Sequence, residues 1–130
     1  MTGADLLGVP PAAGGVSGVL AEIPAGWIIW GLAVDTVNLY WTMLVNGTVM
    51  KAPLTGGGAA VTLADQQVGP TAIASDGVNV YWATNASIMK MSVTGGTPTT
   101  LATGITYDIA VDATSVYWLT RDRVMKVTPK

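Results

Sequence analysis

NLYWT, at Asn38–Thr42, is written again as NVYWA at Asn79–Ala83 and as SVYWL at Ser115–Leu119. The Tyr-Trp pairs fall at Tyr40-Trp41, Tyr81-Trp82 and Tyr117-Trp118, at steps of 41 and 36 residues, and each follows an aspartate by five positions: Asp35, Asp76 and Asp112. Two further phrases keep the same order. Met-Lys recurs at Met50-Lys51, Met89-Lys90 and Met125-Lys126, and Gly-Gly followed by Leu-Ala recurs at Gly56-Gly57 with Leu63-Ala64 and at Gly95-Gly96 with Leu101-Ala102. Phrases repeated in a fixed order mark an internal repeat of about 40 residues.

Within each unit, β-branched and aromatic residues alternate with period two between clusters of Gly, Asn, Asp and Pro, the pattern of short antiparallel strands joined by tight turns. The alternation predicts strands at Gly31–Asp35, Asn38–Thr42, Thr48–Ala52 and Ala59–Ala64, then at Thr71–Ser75, Val78–Ala83, Ser87–Ser92 and Pro98–Ala102, with no helix. Four strands in about 40 residues make one propeller blade, and blades stack so that both faces of each small sheet are buried. Neighbouring strand residues point to opposite faces, so an adjacent Tyr and Trp give each blade face one aromatic. The fold class read from the chain is all-β, a β-propeller of four-stranded antiparallel blades.

Composition narrows the function. At 130 residues the chain reads as one domain, and half of it is apolar with only 11% charged, which excludes a disordered or nucleic-acid-binding character. The net charge of −2 leaves no basic stripe for phosphates. Cys and His are both absent, which removes disulfides, thiolate catalysis, a histidine base and the usual zinc sites. With Glu22 the single glutamate and the aspartates repetitive, unlike acidic groups converging on a metal are not expected, and the chain is read as no enzyme. The opening MTGADLLGVPPAAGG lacks the basic and continuous apolar regions of a signal peptide. The apolar run Gly26–Val34 is far shorter than the ~20 residues of a membrane-spanning helix. Neither nucleic acid nor membrane is an expected partner.

GLAVDTVNLYWT resembles the repeats of YWTD- and NHL-type six-bladed propellers, and VMKAPLTGGGAAVTLA is similar to the outer half of such repeats in bacterial extracellular proteins of unassigned function. The resemblance implies an innermost strand ending in Ala-Val-Asp, a second strand carrying Tyr-Trp, and an extracellular or cell-surface setting. The chain departs from the pattern at the fourth motif position, where Met43, Thr84 and Thr120 replace an acidic residue or Asn. A side-chain hydrogen bond from that position is expected to be lost or altered.

The ends of the sequence complement each other. The last unit runs DIAVDATSVYWLTRDRVMKVTPK to Lys130 with three strands, without the Gly-Gly and Leu-Ala that mark a fourth. LLGVPPAAGGVSGVLA near the start matches the missing half, Pro11 aligning with Pro53, Gly14-Gly15 with Gly56-Gly57, and Leu20-Ala21 with Leu63-Ala64. The expected organisation is a single propeller half-domain over 1–130: the outer part of a split blade and a long connection over 1–30, blades at 31–70 and 71–106, and the inner strands of the split blade at 107–130. Three blade-equivalents fall below the four to eight of a closed propeller. A homodimer sharing six blades is therefore expected, each chain's first strand completing its partner's last blade; the competing reading is a structural propeller fragment, or an engineered or evolutionary intermediate, with no natural ligand.

Three residue sets stand out as candidate sites. Asp35, Asp76 and Asp112 end the innermost strands, where a ring of carboxylates would suit calcium or another hard cation; because they repeat with the blade, accepting hydrogen bonds from the following turn is the expected role, and no cofactor is expected. Lys51, Lys90 and Lys126 read as solvated edge charge. Trp27 and Trp30 lie in EIPAGWIIWG, within the longest of the inter-blade connections, and could stack on the apolar face of a sugar with Gln66 and Gln67 of the equivalent connection adding hydrogen bonds. A lectin-like binding module, with packing against a neighbouring blade as the alternative for both Trp, is the functional expectation.

Overall fold

A computed structural model describes residues 15, 17–56 and 59–130. Among them are eleven strands and no helix: β1 Ile29–Val34, β2 Asn38–Met43, β3 Thr48–Pro53, β4 Val61–Ala64, β5 Ile73–Ser75, β6 Asn79–Ala83, β7 Ser87–Ser92, β8 Thr99–Thr103, β9 Asp108–Val111, β10 Val116–Leu119 and β11 Val124–Val127. They form three antiparallel meanders, β1-β2-β3-β4, β5-β6-β7-β8 and β9-β10-β11. The first strands lie side by side, β1 against β5 and β5 against β9, while the sheets stack face to face, a propeller-like arrangement.

The turn chemistry is local and repeats. Asp35 Oδ1 accepts the N–H groups of Val37 and Asn38, both at 2.8 Å, which folds the chain back from β1 into β2. Asp76 does the same through Val78 and Asn79, and Asp112 through Thr114 and Ser115. In the β2–β3 turn Gly47 has φ +70, and a Cβ there would meet the Gln67 carbonyl oxygen at 2.5 Å, so both conformation and space require glycine. At the fourth motif position the hydrogen bond is altered in two units. Thr84 Oγ1 accepts from Ala86 and Ser87, and Thr120 Oγ1 from Arg123, whereas Met43 has no oxygen to offer.

Each sheet buries one face against the next. Tyr40 and Val49 of the first sheet join Val80, Trp82 and Met91 of the second, with Leu63 and Ala64 of β4 in the same cluster. Tyr81 and Ile88 of the second join Ile109, Val116 and Trp118 of the third. The Tyr of one sheet thus meets the Trp side of its neighbour, as the opposite orientation of adjacent strand residues requires. Removing an aromatic of this size from water is worth roughly 4–6 kcal/mol as an upper bound, so these two contacts dominate the cohesion of the stack.

Several features differ from the alternation read off the chain: β4 starts at Val61 and β5 at Ile73, each two residues later than expected. Strand β1 starts at Ile29, two residues earlier than expected, because a bulge between Ile29 and Leu32 lets the strand pair on to Met43. Leu20-Ala21, expected within an outer strand, is in no strand: among the described residues it has no neighbouring strand to bond, although Ala21 packs on the first sheet. Pro11 and Gly14, aligned with Pro53 and Gly56 ahead of the fourth strand, lie outside the described residues.

Candidate functional site

The three aspartates are engaged in the fold. Besides the turn amides on Oδ1, Asp35 Oδ2 accepts from the Tyr40 hydroxyl at 2.6 Å and Ser75 Oγ at 3.0 Å. Asp76 Oδ2 accepts from the Tyr81 hydroxyl at 3.1 Å and pairs with Lys130 Nζ at 2.7 Å, and Asp112 Oδ2 accepts from Tyr117 at 2.7 Å. Burial raises the Asp35 carboxyl pKa, but the Tyr40 hydroxyl and then the turn amides and Ser75 outweigh it, so the group is lowered overall. Burial opposes ionisation of Asp76 as well, and the Asn79 amide, Lys130 and the remaining donors bring it down to about 2. Tyr40 and Tyr81 are pushed up to about 12, first by burial and then by the carboxylates beside them. Among the described residues no three Asp, Glu, His or Cys come together as a metal-holding group.

The lysines do more than decorate an edge. Lys51 Nζ reaches across to the Val93 carbonyl just beyond β7 of the second sheet at 2.7 Å, and Lys90 Nζ reaches the Lys130 carbonyl beyond the third sheet at 3.0 Å. The third member, Lys126, is exposed and stands 5.9 Å above the Tyr117 ring. The expected solvated role therefore fits Lys126 and is corrected for Lys51 and Lys90, which tie successive sheets together. Their period was visible in the sequence; the backbone carbonyl each one reaches was not.

Of the four ligand candidates, Trp27 follows a turn, its N–H donating to Pro24, and Trp30 lies in β1; both side chains are exposed. Gln66 is exposed with φ +55. Gln67 is committed inside the protein: its Oε1 accepts from Trp82 Nε1 at 3.0 Å and its Nε2 donates to the Asp65 carbonyl at 3.1 Å.

The larger unspent surfaces are the two end faces of the stack. Val49 and Ile88, at equivalent positions, are 0% and 1% exposed beneath the next sheet, whereas their counterpart Val124 is 75% exposed. Ile73 and Ile109 are 6% and 7% exposed against the preceding sheet, whereas their counterpart Leu32 is 66% exposed. Sequence repetition made these positions equivalent, but only packing shows which copies lack a neighbour. Val124 borders a hollow of about 210 Å³ with Ala110, Tyr117 and Leu119, open on the forward face of the third sheet. Leu32 borders another of about 380 Å³, with Leu39 and Trp41 on one side and Gly18–Ala21 on the other. Trp41 Nε1 is buried there without a hydrogen-bond acceptor among the described residues.

No protein-family model matches the sequence, and no curated protein matches it. Among solved structures, the chain is similar to one in the "Crystal structure of Nidogen/Laminin Complex", with 20% sequence identity and a TM-score of 0.47 over 85% of this chain and 64% of that one. The chain thus spans just under two thirds of the length of that structure's chain.

Proposed function

We propose that this chain is a non-catalytic β-propeller binding module, free of cofactor, that closes its ring by pairing with a second copy. The observation that carries the reading is the mismatch at the two ends: Val124 and Leu32 are exposed at positions whose internal counterparts are fully packed. Such faces keep monomers sticky, and large contiguous apolar patches on soluble proteins mark interaction sites. Each copy contributes three blade-equivalents, and six is the one multiple of three that falls within the four to eight blades of closed propellers. The forward face of one copy meets the rear face of the other, and a half-turn repeats the same contact, so two copies close.

Light scattering coupled to size-exclusion chromatography tests the reading. A single species at twice 13.3 kDa is expected; a monomer, or an open series of larger species, would sink it. The ligand of the closed ring belongs to its rim, where Trp27 and Trp30 are exposed and suit the apolar face of a sugar. Gln67 is left out of that set because both ends of its amide are already bonded. A glycan array decides between this lectin-like role and a purely structural ring: binding lost on Trp27→Ala supports the former, silence the latter. No helix among the described residues is long and apolar enough to cross a membrane, and the resemblance to extracellular repeats makes a cell-surface setting part of the proposal.

A further inference from the structure

Each internal contact between sheets has two contributions from the sheet in front: the forward face of its first three strands, and the apolar side of its fourth. Tyr40 and Val49 supply the first kind and Leu63 and Ala64 the second, all in one cluster with Trp82 and Met89 of the following sheet. Tyr81 and Ile88, with Leu101 and Ala102, repeat this toward Trp118 and Met125. A third instance lies on the rear of the first sheet, where Ala21 and Ile23 pack with Trp41, Met50 and Ala52. Ala21 holds the repeat position of Ala64 and Ala102. The fourth-strand contribution is therefore in place, and the hollow beside Leu32 is where the other three strands would lie. At the opposite end, β9-β10-β11 presents those three strands, and among the described residues the outer edge of β11 has no fourth.

Resting on the ring reading above, we propose that Gly18–Ala21 of one copy is the fourth strand of the third sheet of a second copy, and that the two copies exchange this strand reciprocally. The occupant is a second copy because what each end lacks is what the other end presents, in matching register. In the first sheet Val49 pairs with Ala64, Met50 with Thr62 and Lys51 with Val61; in the second, Ile88 pairs with Ala102, Met89 with Thr100 and Lys90 with Thr99. Both pairings carry an irregularity at the same step. The same offset sets Val124 opposite Ala21 of the second copy, Met125 opposite its Val19 and Lys126 opposite its Gly18.

The absence of cysteine makes a crosslink decisive. Opposed residues of antiparallel strands lie ~4.5–5.5 Å apart at Cα, within the span a disulfide accepts. Met50→Cys/Thr62→Cys, at the same register inside the first sheet, is the control and should close within one chain. Val19→Cys/Met125→Cys, oxidised, should run as a covalent dimer on a non-reducing gel, and a co-refolded equimolar mixture of the two single variants should give the same band. The mixture also supplies the readout if the double variant fails to fold, since Val19 is exposed. A native dimer by light scattering in which the control closes but residues 19 and 125 do not link would overturn strand exchange and leave the ring reading standing. A 19–125 bond confined to a single chain would overturn it in favour of self-closure, and a monomeric unsubstituted chain would remove both.

Discussion

Asp76 combines a turn cap, a tyrosine partner and an ion pair with Lys130, and its side chain is largely buried. Its folded pKa of about 2 lies below the ~3.9 of an unfolded aspartate. A depressed carboxyl contributes stability that is fully present above the unfolded value and is lost as pH falls through the folded one, so the loss belongs between about pH 4 and pH 2, amounting to about 2 kcal/mol. Urea titrations at pH 7, 4 and 2.5 should show Asp76→Asn destabilised at neutral pH and flatter than the parent across that window; parallel curves would refute the assignment. Gly31 makes a different residue-level case. A Cβ there would stand 2.3 Å from the Thr71 carbonyl oxygen, which is backbone and cannot rotate away. Gly31→Ala should cost about 1–3 kcal/mol through forced separation of the first two sheets, read as a lowered urea midpoint.

At the scale of strands, the lysines of β3, β7 and β11 repeat in sequence but differ in what surrounds them. Leu54, Val93 and Lys130 are structurally equivalent, since their N–H groups bond the carbonyls of Val37, Val78 and Thr114 respectively. Lys51 and Lys90 reach the carbonyls of Val93 and Lys130, so in a closed ring Lys126 would reach that of Leu54 in the second copy. Lys51→Met should therefore lower the unfolding free energy of the chain by about 1–2 kcal/mol, whereas Lys126→Met should leave chain folding unchanged and weaken self-association by roughly tenfold. An equal effect of both on folding would count against the equivalence. The strands themselves were legible because period-two alternation and Asp, Asn and Gly turns are local properties. The bulge in β1 was not, because it depends on Met43 pairing with Ile29 across the sheet. Nor were the lysine acceptors or the engagement of Gln67 with Trp82, which join residues on neighbouring sheets.

For the whole molecule, repetition set the number of sheets in the sequence, but exposure is a property of neighbours, so the end faces emerge only from the assembled stack. Their energetics separate folding from association. A carboxylate at Val49 would be sealed between the first two sheets, where desolvation without a partner costs several kcal/mol, and Val49→Asp should abolish folding. Val124 holds the same strand position, yet its side chain is open in the single chain, so Val124→Asp should fold with an unchanged circular dichroism spectrum. In the ring that carboxylate would be pressed against the exposed Leu32 side of the second copy, raising the dissociation constant at least about 100-fold for a cost near 3 kcal/mol. Dimers melt at temperatures that rise with protein concentration, and monomers do not. The parent chain should show that rise, and Val124→Asp and Leu32→Asp should each abolish it. Because the proposed ring would use the forward face of each copy once and the rear face once, mixing the two variants would leave a Val124/Leu32 contact of unsubstituted faces on one side only. Such a mixture should form a weak heterodimer with one intact junction and one broken, intermediate in midpoint between parent and variants. A mixture as monomeric as either variant alone would mean that the two faces do not meet each other.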